Sequence, residues 1–461
     1  MPSITRRQLL LATTAAGVAG ACGTPTTSDT PIEPDVPTRP DAAWTGVQGN
    51  DDAVRHIALG DPTPTSFVFV ARTEPNAVVE VHLAEFIEDW QAQPARTLTA
   101  DDSGHLRAEL DGLTAGASIA VQLVRDGLGS RIVHARLPAP ADVAVSVELV
   151  AGSCSHQEHI DFPSLSHAYD RGIPDLYLGL GDTVYQDAND TRVAFRALWA
   201  RNLSAPAYRT VFDNTFTAFT WDDHEVANNF DPDDTERIAL GRDAMREALP
   251  IRIDPQHPER LWRSLRYGST VELFIMDQRG ERRFEEGEFI SPEQFEWLVA
   301  SILASDATWK LVVGSVPCAR LPGLLNAEVA RNDSWKGDDI IEQRNAFLTA
   351  VEGTPGLVFL TGDHHLPCIA RLEDEGPGSG MWEIWTGPLG SFRAPAYLLI
   401  PDNPQVLWRA QQWTATRMHF TPAGLLEVQF VGEADETFVR AVFDDRGEVV
   451  SVETEPDPNA P

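Results

Sequence analysis

Two hydrophobic patterns divide this chain at about residue 142. From Gly46 to Pro138 the apolar residues come in short β-rich runs separated by turn residues, among them Ser66 to Ala71, Ala77 to Leu83 and Ser118 to Val124. Branched and aromatic side chains recur in these runs, as suits a pleated, half-buried surface. With Asp61-Pro62-Thr63-Pro64 as a turn, the spacing predicts a small antiparallel sandwich of the immunoglobulin or fibronectin kind over residues 43–140. Pro138 to Asp142 reads as a hinge. Beyond it, apolar strands alternate with helical periods. Ser146 to Gly152, Leu176 to Gly179, Phe216 to Trp221, Val271 to Met276, Trp309 to Gly314 and Leu357 to Thr361 read as buried strands. Phe162 to Arg171, Arg237 to Leu249 and Pro292 to Leu303 read as helices, the last opened by a Ser-Pro start. Residues 143–455 are therefore predicted as an α/β domain in which sheets are flanked by helices.

The first residues follow neither pattern. Thr5-Arg6-Arg7-Gln8 leads into a weakly apolar run, Leu9 to Ala21, that ends in small residues. This is the layout of a twin-arginine export signal over residues 1–22, too short to span a bilayer as a mature helix. That export machinery carries folded proteins, which suits a chain that must take up metal before crossing. Cys22 after Ala19-Gly20-Ala21 resembles a lipoprotein cleavage box, although Ala19 stands where a larger aliphatic is usual. Two readings stay open, a lipid anchor on Cys22 and ordinary cleavage that leaves a free cysteine. Residues 23–42, rich in Thr, Pro, Asp and Ser, read as a tether without a core. The expectation is an exported protein, periplasmic, cell-surface or extracellular, that meets membrane only through Cys22. No other stretch reaches the roughly 18 apolar residues that a span needs.

Charge narrows the partners. Against 36 Lys and Arg stand 69 Asp and Glu, a net charge of −33 over 461 residues. Gripping a nucleic-acid backbone or an anionic lipid surface needs clustered cations, so a nucleic-acid carrier role is not expected. Only Lys310 and Lys336 are lysines, a bias that points to genome composition rather than to function. Beyond Cys22, three cysteines remain, Cys154, Cys318 and Cys368, and an odd number cannot all pair within one chain.

Four polar clusters each follow an apolar strand: Gly152-Ser153-Cys154-Ser155, Gly181-Asp182-Thr183-Val184-Tyr185, Trp221-Asp222-Asp223-His224-Glu225 and Gly362-Asp363-His364-His365. Strand ends are where open α/β sheets bind ligands. Any one cluster could be a turn, a helix cap or a buried thiol. Together they offer carboxylate, thiolate and imidazole, the ligand set of a metal centre. Glu383, in Trp382-Glu383-Ile384-Trp385, reads as structural.

These motifs resemble those of the alkaline-phosphatase-D (PhoD-type) metallophosphoesterases, relatives of the calcineurin-like and purple acid phosphatases. The resemblance runs from Gly60-Asp61-Pro62 through Asp223-His224-Glu225-Val226-Ala227-Asn228-Asn229, Met276-Asp277-Gln278-Arg279 and Asp333-Ser334-Trp335 to Asp363-His364-His365. It implies the two-sheet metallophosphatase fold and a binuclear centre of ferric iron and calcium. Cys154, Asp182, Tyr185 and Asp363 match the iron ligands, with Asp182 bridging, while Asp223 and His365 match the second metal. His224 matches the group that stabilises the transition state or protonates the leaving group, with a merely ligand-orienting histidine as the alternative. Asn229 and Arg279 are candidates for the substrate side, Asp333 for calcium, although an Asp277-Arg279 pair is as often structural.

The implied activity is metal-assisted hydrolysis of a small-molecule or lipid phosphate ester. One departure bears on specificity. Where the family reads Trp-Asp-Gly-Tyr this chain has Trp335-Lys336-Gly337-Asp338, so Lys336 is expected to contact the ester's second substituent or its phosphate. A smaller one, Cys154-Ser155 in place of Cys-Gln, falls beside the ligands. The competing readings are a non-hydrolytic, metal-binding envelope lipoprotein that kept the fold, and a serine hydrolase, for which no Gly-x-Ser-x-Gly elbow is evident.

Overall fold

Strands that are apolar at every position need cover on both faces, and the architecture supplies it. The computed structural model describes residues 45–47, 54–156, 161–321, 334–335, 337 and 340–460. Its larger sheet orders Val449–Thr454, Thr437–Asp444, Leu425–Gly432, Thr414–Phe420, Val147–Gly152, Leu176–Leu180, Phe216–Thr220, His56–Thr63, Ser66–Arg72 and His105–Asp111. A second orders Arg263–Tyr267, Val271–Ile275, Trp309–Val313, Leu357–Thr361, Trp382–Trp385, Cys368–Arg371 and Val406–Arg409. The central strands of both are parallel.

Alternation along each strand then sorts the side chains. Leu149, Leu178, Leu311 and Leu360 enter the core between the sheets. Their neighbours Val150 and Tyr177 face a second core with Leu165, Trp199 and Met245 of the helices Pro163–Asp170, Arg192–Asn202 and Thr235–Ala248. Val312 and Phe359 face a third, with Leu298 and Phe347 of Pro292–Ala304 and Ile341–Ala350. The result is a mixed α/β fold of stacked sheets with helices outside. Cys318 and Cys368 lie in the third core as free, buried thiols, and burial pushes Cys318 up to about 12.

The N-terminal strands divide between two sheets. Six short strands between Val78 and Arg136 form one of their own. The other three extend the large sheet, because His56–Thr63 lies parallel to Phe216–Thr220 with Gly60 opposite Thr217. A Cβ at Gly60 would stand 2.3 Å from the Thr217 carbonyl oxygen, so only glycine permits this approach. Asp61 to Pro64 is not the expected turn. The strand runs to Thr63 with a register shift after Gly60, and Asp61 takes a left-handed φ of 43°. Its buried carboxylate accepts from both Arg263 Nε and Nη2, at 2.5 and 2.7 Å, which makes the motif an anchor between distant segments.

Candidate metal centre

All four clusters sit where parallel strands give way to loops, and the backbone there is unusual. Cys154, Asp182, Asp363 and His365 take left-handed φ values of 53°, 54°, 62° and 54°. Such conformations cost about 1–3 kcal/mol each for residues with a side chain, so their surroundings must impose them. Much of that constraint is Glu225, a buried carboxylate that accepts from the backbone N–H groups of Asp182 (2.9 Å), Thr183 (2.6 Å) and Asp222 (2.8 Å). It ties two strand-end loops together. A Cβ at Gly181 would lie 2.5 Å from Asp222 Cβ, so the same approach requires glycine there.

The loops bring the donors together around Asp182. Cys154, Asp182 and His365 form one group; Asp182, Asp223 and His224 a second; Asp182, Asp222, Asp223 and Asp363 a third, with the donor atoms of each within 4.8 Å of one another. Tyr185 adds its hydroxyl, which donates to Asp182 Oδ2 at 3.3 Å. His365 lies in the group with Cys154 and Asp363 in the group with Asp223, whereas the resemblance implies Asp363 beside Cys154 and His365 beside Asp223. Both residues of the turn are left-handed, so the chain reverses within it and side chains two positions apart meet different partners.

The residues fit cations. Asp182 Oδ1, Asp222 Oδ2, Asp223 Oδ1 and His365 Nδ1 are buried without a hydrogen-bond partner among the described residues. An orphaned buried acceptor costs about 1–3 kcal/mol, and four crowded carboxylates repel one another as well. Burial pushes Asp222 up to about 7, with Arg279 opposing and Asp223 and Asp182 adding to the rise. Burial and Asp182 also drive the Cys154 thiol well up, a trend that coordination reverses by deprotonating it. Thiol, imidazole, phenol and carboxylates gathered around Asp182 suit bound metal cations.

Other expected residues fall as follows. His224 lies beside the carboxylates, its Nδ1 2.7 Å from Asp187 Oδ1 and its ring 4.2 Å from that of Tyr185. Burial disfavours its charge, yet Asp182, the Asp187 bond and Asp223 lift it to about 10. Asn229 is exposed at the rim, and its backbone N–H donates to Asp223 Oδ2. Arg279 is buried beneath the carboxylates. It is 1% exposed, its Nε donates to Asp222, and its Nη2 lies 3.6 Å from both Asp223 and Asp363. A cation buried among carboxylates is a resident counter-charge. Asp333 and Lys336 lie outside the described residues, as do residues 1–42. Ser155, the departure beside Cys154, is buried, with its Oγ 2.8 Å from the Tyr208 hydroxyl.

Sequence reasoning missed Asp187, Asp222 as a donor and Phe392, whose ring is 58% exposed and packs 4.3 Å from that of His365. Asp222 stood next to a chosen ligand, but nothing local marked Asp187 or Phe392. Glu383 is structural, as expected. It accepts from Cys318 N, Ala319 N and Trp385 Nε1, each at 2.7 Å, and from the Thr361 hydroxyl.

The model of the PhoD-like phosphatase family matches residues 149–436. Alkaline phosphatase D of Bacillus subtilis (strain 168) is 23% identical over 383 residues, 68% of this chain and 65% of that one, so the match spans about two thirds of the relative's length. Among solved structures, PhoD superposes with a TM-score of 0.76 at 19% identity, over 87% of this chain and 92% of that one. A purple acid phosphatase from yellow lupin (Lupinus luteus) seeds gives 0.64 at 12% identity, over 87% and 74%.

Proposed function

This chain belongs to the PhoD-like phosphatase family, and we propose that it hydrolyses phosphoric esters at the Asp182 cluster with two bound cations. The observation that carries this reading is the sharing of Asp182 by all three donor groups, with its Oδ1 without a hydrogen-bond partner among the described residues. Asp182 would bridge. Cys154, Tyr185 and His365 would hold ferric iron, while Asp223, Asp363 and Asp222 would hold calcium. When bound, such a pair supplies Lewis acidity toward phosphate oxygens and a water acidified toward neutral pH.

The chain's own groups do the rest. Asp187 holds His224 by Nδ1, which leaves the other ring nitrogen to give a proton to the leaving oxygen. Asn229 would offer its amide to the phosphate from the rim, and Arg279 would keep the carboxylates in register. A protein of net charge −33 cannot attract phosphate through its general field, so the attraction must be local. The reading extends to a small-molecule or lipid ester as substrate, without a nucleic-acid carrier role. It further includes export through the twin-arginine machinery, to the periplasm, cell surface or medium, with or without a lipid on Cys22. No described helix is long and apolar enough to cross a membrane. A non-hydrolytic metal-binding lipoprotein is not favoured by the family.

Metal-loaded protein is expected to release p-nitrophenolate from p-nitrophenyl or bis-p-nitrophenyl phosphate. Inactivity on both esters, or activity that survives complete metal removal, would overturn this reading.

A further inference from the structure

Among the described residues, Phe392 is the one Phe, Tyr or Trp that is exposed, at 58%, and it stands against the candidate centre. Its ring meets that of His365 edge-on, with centroids 4.3 Å apart, and His365 Nε2 lies 3.9 Å from Asp182 Oδ2. This is not the exposure of a loosely held loop. The N–H of Leu389 donates to the Ser153 carbonyl at 3.0 Å, and those of Gly390 and Ser391 donate to the Cys154 carbonyl at 3.1 and 2.9 Å. The N–H of Ala394 donates to the His365 carbonyl at 2.8 Å. Trp413 Nε1 donates to the Ser391 carbonyl at 2.6 Å, and Arg393 lies over the Trp413 ring at 4.3 Å. Ser391 and Ala394, which flank the pair Phe392-Arg393, are both buried. The segment that carries the ring is therefore bonded to the same two loops that carry Cys154 and His365.

Single exposed aliphatic residues are ordinary on protein surfaces. An aromatic ring fixed beside metal-type donors differs, because on meeting a ligand it gains burial without first having to be ordered. A ring pairs with another ring, edge-on or offset, better than with an aliphatic body of equal size. A neutral aromatic group also meets no repulsion from a chain of net charge −33, as a further anion would.

We propose that Phe392 is the platform for an aromatic substituent of the phosphoric ester, so that the site selects esters carrying an aromatic ring over alkyl esters of equal size. This rests on the phosphoester reading of the Asp182 cluster. It makes Phe392 a specificity-determining residue with no part in the chemical step.

Calorimetry on metal-loaded protein with methylphosphonate, cyclohexylmethylphosphonate and benzylphosphonate tests it. The benzyl compound is expected to bind about tenfold tighter than the methyl one and about threefold tighter than the cyclohexylmethyl one. Phe392→Leu keeps an apolar cover on His365, and it is expected to bring benzyl and cyclohexylmethyl level, both still tighter than methyl. Phe392→Trp is expected to keep the benzyl preference. Equal binding of benzyl and cyclohexylmethyl by the unaltered protein, or a benzyl preference that survives Phe392→Leu, would overturn the inference. So would a parallel fall of all three in Phe392→Leu, the mark of a ring that only covers His365. Failure of all three to bind would overturn it as well. Hydrolysis of p-nitrophenyl phosphate by the same preparation would then leave the phosphoester reading standing, and inactivity on it and on the bis ester would remove both.

Discussion

Two fully buried carboxylates, Asp182 and Glu383, show what separates a site from scaffolding in this fold. Each is 0% exposed; Asp182 follows the end of one parallel strand and Glu383 lies within another. Glu383 accepts from four donors, two backbone N–H groups, an indole and a hydroxyl, so its charge or its proton is fully met by protein. Asp182 accepts one hydroxyl at 3.3 Å, has His365 Nε2 at 3.9 Å, and keeps an oxygen with no hydrogen-bond partner among the described residues. The thiols divide the same way. Cys154 lies among unpartnered donors, while Cys318 and Cys368 are packed into an apolar core. Burial alone therefore does not mark function. Burial without satisfaction, in a group that crowds other metal-type donors, does.

The sharpest way to break this contrast is to remove each carboxylate's charge. Asp182→Asn is expected to lower kcat/KM about a thousandfold or more, roughly 4 kcal/mol in the transition state, with no loss of denaturant stability. Ester kinetics and urea melts on the same preparation check both halves. Glu383→Gln should do the reverse. Its new NH₂ must face a backbone N–H that now has an acceptor, so unfolding should become easier by about 3 kcal/mol. Metal content per folded molecule should stay unchanged. Next in size is the proton-handling pair. His224→Gln is expected to cost about a hundredfold in kcat, and Asp187→Asn about tenfold, because Asp187 only orients the ring. Equal losses would mean that His224 itself merely positions a ligand. The smallest effect concerns Lys336→Asp, expected to change the ratio of monoester to diester hydrolysis by a few-fold at an otherwise similar rate, as a single charge can. An unchanged substrate profile would remove Lys336 from the site.

What the sequence disclosed and what it withheld follow from range. The strand-end clusters were legible because strand, glycine and ligand are neighbours in the chain, as in Gly181-Asp182 and Gly362-Asp363. Glu383 was legible as structural because it sits inside an apolar strand. Which donor group takes Asp363 and which takes His365 was not, since both sit in one turn with left-handed backbone. Arg279 reaches Asp222 across 57 residues, and Asp187 reaches His224 across 37, contacts that no local spacing encodes. The joining of the N-terminal strands to the large sheet was hidden for the same reason, resting on Gly60 against Thr217.

The most direct test of the central claim is metal analysis with visible absorption of purified protein, compared with its Asp182→Asn and Tyr185→Phe variants. The expected result is two metal ions per chain, one of them iron with a tyrosinate-to-ferric absorption band. Tyr185→Phe should abolish the band and Asp182→Asn should lower the content of both metals. Colourless, metal-free protein that hydrolyses phosphate esters at full rate would contradict the account.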